Sequence, residues 1–187
     1  MKNYNLFNYG YLEDKISSNL HSKLLEEAYY LKSNAKEYVS GVSDTGVARH
    51  YKLVNHKKEL FDYIITMMQK YNDIYPSILN IKYFTSHLPL HFNVPWINFQ
   101  KKGEFIPNHT HDGIYSYNIW LKSPTKNIFE FNYTSVLGDI MQHKIEVTKE
   151  KEGTIIFFPA KLMHTSYPFN DSDDDRISLS GNIVFKT

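Results

Sequence analysis

Two histidines, His109 and His111, stand one residue apart at the start of an apolar segment. Side chains two residues apart point to the same face of an extended strand, so both imidazoles can reach one metal ion. The chain has no cysteine, so a metal here must be bound by histidine, carboxylate or carbonyl groups. A pair with this spacing also arises by chance, and it indicates a metal site only together with further ligands.

A third histidine, His164, lies in a later segment with strand character, residues 161–167. If eight strands form a two-sheet roll, the second and seventh strands lie in the same sheet, and His164 then comes close to the earlier pair. Two or three protein ligands on one side of an ion leave open positions for small molecules, which suits non-haem iron. Alone, His164 would more often be a hydrogen-bonded strand histidine, but beside the pair it favours a metal site.

Four polar side chains share one face of the last segment with strand character: Arg176, Ser178, Ser180 and Asn182. Such a face indicates either solvent or a polar ligand. An arginine followed two residues later by a hydroxyl can hold a carboxylate through two charge-assisted hydrogen bonds and one neutral bond. The alternative is an exposed edge strand, in which Arg176 pairs with the acidic residues 173–175.

The size and composition of the chain favour one globular domain. Its 187 residues can bury one core, and 42% hydrophobic with 22% charged residues is typical of a globular protein. A net charge of +1 provides no basic field for nucleic acid or anionic membranes. No apolar run approaches the ~20 residues of a membrane span, and the N-terminus lacks the apolar core of a signal peptide. Together with the absence of cysteine, these features lead us to expect a cytoplasmic protein.

Two amphipathic helices are expected in the first half of the chain. Apolar residues recur every three or four positions from a cap at Ser17 or Ser18 to about residue 37. A second helix is expected from a cap at Asn55 to Pro76. Both helices are expected to brace a sheet.

From residue 95 onward the hydrophobic period changes to two, which predicts short strands separated by turn residues. Eight core strands are expected, at 96–101, 105–108, 114–121, 128–133, 144–148, 154–158, 161–167 and 177–185, with a further short strand at 5–9. We therefore predict an α+β fold: a cupin-like jelly roll of about eight strands braced by two N-terminal helices. We expect a single domain over 1–187, with mainly helical support in 1–90 and the β core in 95–187.

The sequence resembles the Fe(II)- and 2-oxoglutarate-dependent oxygenases, and within them the small prolyl-hydroxylase-like members found in tailed-phage genomes. The resemblance rests on short segments at 96–100, 109–113 and 152–159, on His164 and on 176–178. It covers residues 96–185 well and residues 41–71 faintly. It implies a double-stranded β-helix with iron at its mouth and, for a phage-encoded protein, a place in the host cytoplasm.

The resemblance also implies roles for individual residues. His109 and His164 would bind iron, and Arg176 with Ser178 would hold the far carboxylate of 2-oxoglutarate. The implied reaction uses O₂, decarboxylates 2-oxoglutarate to succinate and CO₂, and hydroxylates or otherwise oxidises a primary substrate.

The third iron ligand departs from the family pattern, which has aspartate or glutamate two residues after the first histidine. This chain has His111 at that position and Asp112 one residue later. Strand parity favours His111, whereas Gly113 permits a turn that could bring Asp112 inward as a ligand or as a partner of a ligating histidine. A site with only His109 and His164 is the least favoured arrangement.

Further polar residues are candidates for the cosubstrate pocket. Asn98 and Gln100 on the first core strand and Tyr117 on the third are expected in its wall. Asn182 shares the strand face of Arg176 and is a further candidate. A packing role is the alternative for each of them.

Two other functions fit parts of the pattern. Another cupin-type metal enzyme, such as an isomerase or a zinc hydrolase, would use the same histidines without 2-oxoglutarate, although Arg176 with Ser178 argues against it. A jelly-roll structural or binding module, for example a virion protein, would have scattered histidines. The sequence indicates neither the primary substrate nor the oligomeric state.

Overall fold

The computed structural model describes residues 9–34, 39–42, 49–75 and 89–186, so the strand predicted at 5–9 falls almost wholly outside them. Within the described residues the α-helices are α1 (Ser18–Ser33) and α2 (Lys57–Ile74), and a single 3-10 turn covers Lys149–Lys151. The strands that precede the core are β1 (Leu12–Lys15), β2 (Val39–Val42), β3 (Arg49–Lys52) and β4 (Leu90–Phe92). The core strands are β5 (Trp96–Gln100), β6 (Ile106–His109), β7 (Tyr115–Lys122), β8 (Asn127–Thr134), β9 (Ile140–Val147), β10 (Thr154–Pro159), β11 (Met163–Ser166) and β12 (Arg176–Phe185).

The strands form two sheets that face each other. The larger sheet has the order β1-β10-β7-β12-β5-β3-β2, and β4 pairs with the last residues of β12. The smaller sheet has the order β6-β11-β8-β9. The second and seventh core strands, β6 and β11, are direct neighbours in the smaller sheet, as the sequence predicted. The arrangement confirms the predicted α+β jelly roll with eight core strands.

Strand β7 contributes to two hydrophobic layers, because successive side chains point to opposite faces of a sheet. Its odd-numbered residues from 115 to 121 belong to the core beneath the helices, together with Leu24 of α1 and Ile64 of α2. Trp120, on the other face, packs against Phe129 and further apolar side chains of the smaller sheet. Apolar side chains from both sheets therefore fill part of the space between them.

The two helices begin close to the predicted caps. Ser17 caps α1, since its Oγ accepts a hydrogen bond from the backbone N–H of Leu20. The cap predicted for α2 at Asn55 is wrong by one residue, because α2 starts after His56, whose side chain makes no capping bond. The Glu27 side chain of α1 instead accepts the backbone N–H groups of Val54 and Asn55, at 2.8 and 2.7 Å.

The strand prediction missed β1, β2, β3 and β4, all of which precede the core strands. A second error is the start of β9. The strand begins at Ile140, four residues before the predicted 144, and pairs with β8 in a hairpin whose register joins Ile140 to Thr134. Residues 140–144 are all exposed, so no alternation of apolar and polar side chains marked them as a strand.

Neither helix in the described part of the chain has the length and apolar character that a membrane crossing requires.

The ring of Tyr117 lies across Gly181, its partner in the pairing of β7 with β12. A Cβ atom at Gly181 would lie 2.2 Å from the Tyr117 hydroxyl oxygen, so only glycine fits beneath the ring. The Tyr117 hydroxyl is buried and has no hydrogen-bond partner among the described residues. Burial also raises the pKa of this hydroxyl, which therefore stays protonated.

We expect Tyr117→Phe to be at least as stable as the wild type, because it removes an unpaired buried hydroxyl that costs about 1–3 kcal/mol of desolvation. Tyr71→Phe is the matched control, since the Tyr71 hydroxyl donates to the Gly10 carbonyl at 3.0 Å. That variant should lose about 1 kcal/mol of unfolding free energy. Urea unfolding of both variants measures the difference, and an equal loss in the two would show that the Tyr117 hydroxyl is hydrogen-bonded.

Candidate active site

The three histidines singled out in the sequence lie together. In the pairing of β6 with β11, His109 stands directly opposite His164. Their ring centroids are 4.3 Å apart, and the His111 ring lies 4.8 Å from His109 and 5.1 Å from His164. One nitrogen of each imidazole lies within 4.8 Å of the others. One ion with nitrogen ligands at about 2.1 Å can bridge them after small side-chain shifts.

Two of the imidazoles have a defined tautomer. His109 Nδ1 lies 2.8 Å from the Pro107 carbonyl oxygen, and His164 Nδ1 lies 2.9 Å from the Leu162 carbonyl oxygen. A carbonyl only accepts hydrogen bonds, so Nδ1 carries the hydrogen in both rings. Nε2 of each ring is left with a lone pair for a metal, and the Nδ1 bond orients the ring.

Two of these rings have lowered pKa values. Burial is the main cause and the nearby His109 acts in the same direction, so that the pKa of His164 is about 3 and that of His111 is about 4. Neutral imidazole is the form of histidine that binds metals, so the cluster can accept an ion at neutral pH.

His111 reaches the cluster although β6 ends at His109. The backbone N–H of His111 donates to the carbonyl of Ala160 at 2.8 Å, which ties the segment to the turn between β10 and β11. The Trp96 ring lies edge-on to the His111 ring, with centroids 5.7 Å apart. These contacts hold His111 beside the other two histidines after the strand pairing has stopped.

Asp112 points away from the cluster. Its side chain is fully exposed and lies 3.4 Å from Lys161 Nζ at the surface. The turn expected at Gly113 is present, with a φ of 109°, and a Cβ there would lie 2.5 Å from the Ile183 carbonyl oxygen. This turn carries the Asp112 carboxylate towards solvent.

One cavity of about 420 Å³ connects the histidine cluster with Arg176. Its walls come from both sheets, and its apolar lining includes Trp120, Phe129 and Phe158. Ser178 lines the same cavity, beside Arg176 on β12. The structure thus brings the predicted metal-binding and carboxylate-binding residues to one space.

Arg176 is a buried cation whose hydrogen-bond partners are all neutral. Its side chain is 2% exposed. Nε donates to Gln100 Oε1 at 3.1 Å, and Nη1 donates to Asn127 Oδ1 at 3.0 Å and to the Tyr167 carbonyl at 2.8 Å. The guanidinium also lies 5.3 Å from the centre of the Phe169 ring. Nη2 has no hydrogen-bond partner in the described part of the chain.

The alternative of an exposed edge strand is wrong. Strand β12 lies between β5 and β7, and the acidic residues 173–175 pair with the surface lysines Lys102, Lys122 and Lys32 instead of Arg176. Burial lowers the pKa of Arg176 to about 10, so the group stays protonated at neutral pH. A buried cation without a hydrogen-bonded counter-ion is costly, which favours an anionic ligand beside it.

Two neighbours of Arg176 in the cavity wall carry further unpartnered polar atoms. Gln100 uses Oε1 to accept from Arg176, and its Nε2 has no partner among the described residues. Asn98 has an unpartnered Oδ1, and its Nδ2 lies 3.5 Å from the hydroxyls of Ser178 and Ser180. The cavity therefore offers hydrogen-bonding groups that a polar ligand can satisfy.

Tyr117 borders the cavity, and its ring also belongs to the core beneath the helices. Asn182 differs from the position expected for it. Asn182 lies on the Arg176 face of β12 yet does not line the cavity, and its Oδ1 accepts from Ser116 Oγ at 2.7 Å. Asn127, which sequence analysis missed, reaches Arg176 from the opposite sheet. No local pattern could have indicated it, because the contact depends on how the two sheets face each other.

Comparison with known proteins identifies the chemistry of such a site. Residues 95–182 match a family described as "Putative 2OG-Fe(II) oxygenase". No curated protein matches the sequence.

The fold is similar to several solved structures. A Pseudomonas putida prolyl-4-hydroxylase aligns with a TM-score of 0.63 and 13% identity, over 95% of this chain and 94% of that chain. An oxidoreductase of the 2OG-Fe(II) oxygenase family from Burkholderia pseudomallei gives a TM-score of 0.56 and 14% identity, over 94% and 84%. HygX from Streptomyces hygroscopicus, solved with nickel, 2-oxoglutarate and hygromycin B bound, gives 0.56 and 12%, over 95% and 83%. At these identities the likeness establishes the fold.

The family match over the β core, the jelly-roll fold and the three-histidine cluster together indicate an Fe(II)- and 2-oxoglutarate-dependent oxygenase. The protein is thus an oxidoreductase with Fe(II) and 2-oxoglutarate as its cofactors. Neither a metal enzyme without 2-oxoglutarate nor a binding module is favoured.

Proposed function

We propose that His109, His111 and His164 hold Fe(II), and that Arg176 with Ser178 holds the far carboxylate of 2-oxoglutarate. The observation that carries this assignment is the buried Arg176, which lines the same cavity as the histidine cluster and has only neutral hydrogen-bond partners. A dicarboxylate that reaches from Arg176 to the metal ion would accept a hydrogen bond from the unpartnered Nη2 at one end and balance the positive charge of the ion at the other.

The residues present fit these two cofactors. His109 and His164 present Nε2 lone pairs, and Gln100 Nε2 can serve as a second donor to the carboxylate beside Arg176. The cavity of about 420 Å³ falls within the usual range for a small-molecule site, roughly 300–1,000 Å³. It has room for a five-carbon dicarboxylate and for part of a second molecule.

With both cofactors bound, the iron supplies the oxidative chemistry, in which O₂ and 2-oxoglutarate are converted to succinate and CO₂ while a primary substrate is hydroxylated or otherwise oxidised. The chain itself holds and orients the reactants. Backbone carbonyls fix the rings of His109 and His164, and Gln100 with Asn127 fixes the Arg176 fork. The aromatic walls exclude water, which strengthens the electrostatic interactions inside.

For the third ligand we favour His111 over Asp112. His111 lies within the cluster, whereas the Asp112 carboxylate is exposed and faces Lys161, which supports the neutral residue. Asp112 then acts at most through the surface charge near the site.

Three finer assignments stay predictions that rest on the sequence. These are the likeness to small members from tailed phages, the location in a cytoplasm (that of the host for a phage-encoded protein), and a single domain over 1–187.

Anaerobic addition of Fe(II) and 2-oxoglutarate should give the weak visible charge-transfer band of an Fe(II)–2-oxo acid chelate. Arg176→Ala should weaken 2-oxoglutarate binding, measured by titrating this band, by about 30-fold to several thousand-fold, since losing one partner of a buried charge pair costs ~2–5 kcal/mol. Arg176→Lys should recover only part, because an ammonium cannot form the two-pronged contact.

Lys102→Ala, which removes an exposed lysine near Asp173, is the matched control and should leave the titration unchanged. An Arg176→Ala titration identical to the wild type would remove Arg176 from the cosubstrate site. Absence of the band and of succinate in freshly iron-loaded protein would contradict the proposed function.

The third ligand can be identified by substitution. We expect His111→Ala to abolish high-affinity binding of Fe(II), because it removes a ligand of a three-nitrogen site. Asp112→Ala should weaken Fe(II) binding by no more than the ~10–100-fold typical of residues that hydrogen-bond to a metal ligand. Anaerobic metal titration with a chelator as competitor measures both. The reverse ranking would show that the turn at Gly113 brings Asp112 to the metal in solution.

A further inference from the structure

Among the described residues, the lining of the cavity contains no acidic side chain. Of the described residues that border it, Arg176 alone carries a formal charge at neutral pH when the histidines are neutral. A histidine that donates its lone pair to a metal is neutral by necessity, so the three-histidine cluster contributes no negative charge to a bound ion. This differs from a site in which one ligand is a carboxylate.

Asp112 and Glu104, two carboxylates outside the cavity, do not replace that missing charge. Asp112 is fully exposed to solvent and faces Lys161. Glu104 attracts Arg176 electrostatically, but it does not line the cavity, and its carboxylate accepts the backbone N–H of Lys101. Solvent screening weakens the effect of the exposed group on the interior.

The charges inside the loaded cavity therefore do not cancel. This step rests on the proposed function. A divalent ion and Arg176 bring three positive charges, and 2-oxoglutarate brings two negative ones, so one positive charge remains. Aromatic side chains such as Trp120, Phe129 and Phe158 form much of the wall. A net charge in such surroundings attracts an anion strongly, because little water is available to screen it.

Part of the cavity is left for a further molecule. On β5, Gln100 pairs with Arg176 and Trp96 pairs with Ser180, so Trp96 lies four residues from the carboxylate-binding end, about 13 Å along the strand. The Trp96 ring is next to His111, and His50 of β3 also borders this end. A cosubstrate held at Arg176 and at the metal leaves the Trp96 end open.

We propose that the primary substrate carries an oxyanion, a carboxylate or a phosphate, and that this group occupies the Trp96 end of the cavity close to the metal. The residual positive charge selects it, and His111 is the residue responsible, because an aspartate at the same position would neutralise the site. The structure thus assigns His111 a role in substrate selection besides metal binding.

The test uses azide as a stand-in for the anionic group. The protein is loaded with Co(II) and 2-oxoglutarate, and azide binding is followed by the visible spectrum of the cobalt. We expect the wild-type complex to bind azide, and His111→Asp to bind it at least about 10-fold more weakly, since one unit charge at close range in a poorly hydrated site changes affinity by that order. His111→Glu provides a second carboxylate variant in case the aspartate does not reach the metal.

Asp112→Asn is the matched control, because it removes a carboxylate one residue away that faces solvent. Azide affinity in this variant should change by less than about threefold, owing to screening. Equal azide affinities in the wild type and in both carboxylate variants would overturn the inference. A wild-type complex that binds no azide up to about 0.1 M would also overturn the inference. At that ionic strength surface charges are already screened, so binding at higher concentrations would not report on the site.

The outcome is distinguishable from failure of the proposed function, because the 2-oxoglutarate complex is verified first by its own spectrum. Absence of that complex contradicts the proposed function, whereas a normal complex without charge-dependent azide binding contradicts only the inference. In matched pairs of candidate substrates, the carboxylate or phosphate member should stimulate succinate release from the iron enzyme. Stimulation by the amide or dephosphorylated members alone would also overturn the inference.

Discussion

The antiparallel pairing of β6 with β11 is the constraint on which the site depends. It places His109 directly opposite His164, although 54 residues separate them in the chain. The carbonyls that orient the two rings belong to Pro107 of β6 and to Leu162, which directly precedes β11. A shift of this pairing by one residue would send one histidine to the opposite face of the sheet and dissolve the cluster. Strand pairing within the smaller sheet therefore provides the precision that a metal site needs.

Charge organises the rest of the cavity. Arg176 is buried among neutral partners, with Nη2 unpartnered in the described structure, and three histidines stand at the other side of the same cavity. Such an arrangement is unfavourable for the empty protein and favourable for a dianion that reaches both the arginine and a metal ion. Burial of Arg176 thus lowers the stability of the empty protein and raises its affinity for the cosubstrate, as is common at functional sites.

The sequence predicted those features that depend on local pattern. Alternation of apolar and polar residues located the core strands, and the spacing of the histidines with Arg176 and Ser178 predicted which side chains meet. Features that depend on tertiary packing could not be predicted in this way. Asn127 reaches Arg176 from the other sheet, Glu27 caps the segment before α2, and the exposed start of β9 lacks alternation. Asn182 lies on the same face of β12 as Arg176, but its side chain accepts a hydrogen bond from Ser116. The two residues are neighbours only because β7 pairs with β12.

A crystal structure of the protein grown without oxygen in the presence of Fe(II) and 2-oxoglutarate provides the most direct measurement. We predict one metal ion bound by His109, His111 and His164, with the far carboxylate of 2-oxoglutarate on Arg176 and Ser178. A metal ion bound by Asp112 in place of His111, or a 2-oxoglutarate carboxylate that does not contact Arg176, would contradict the proposed arrangement.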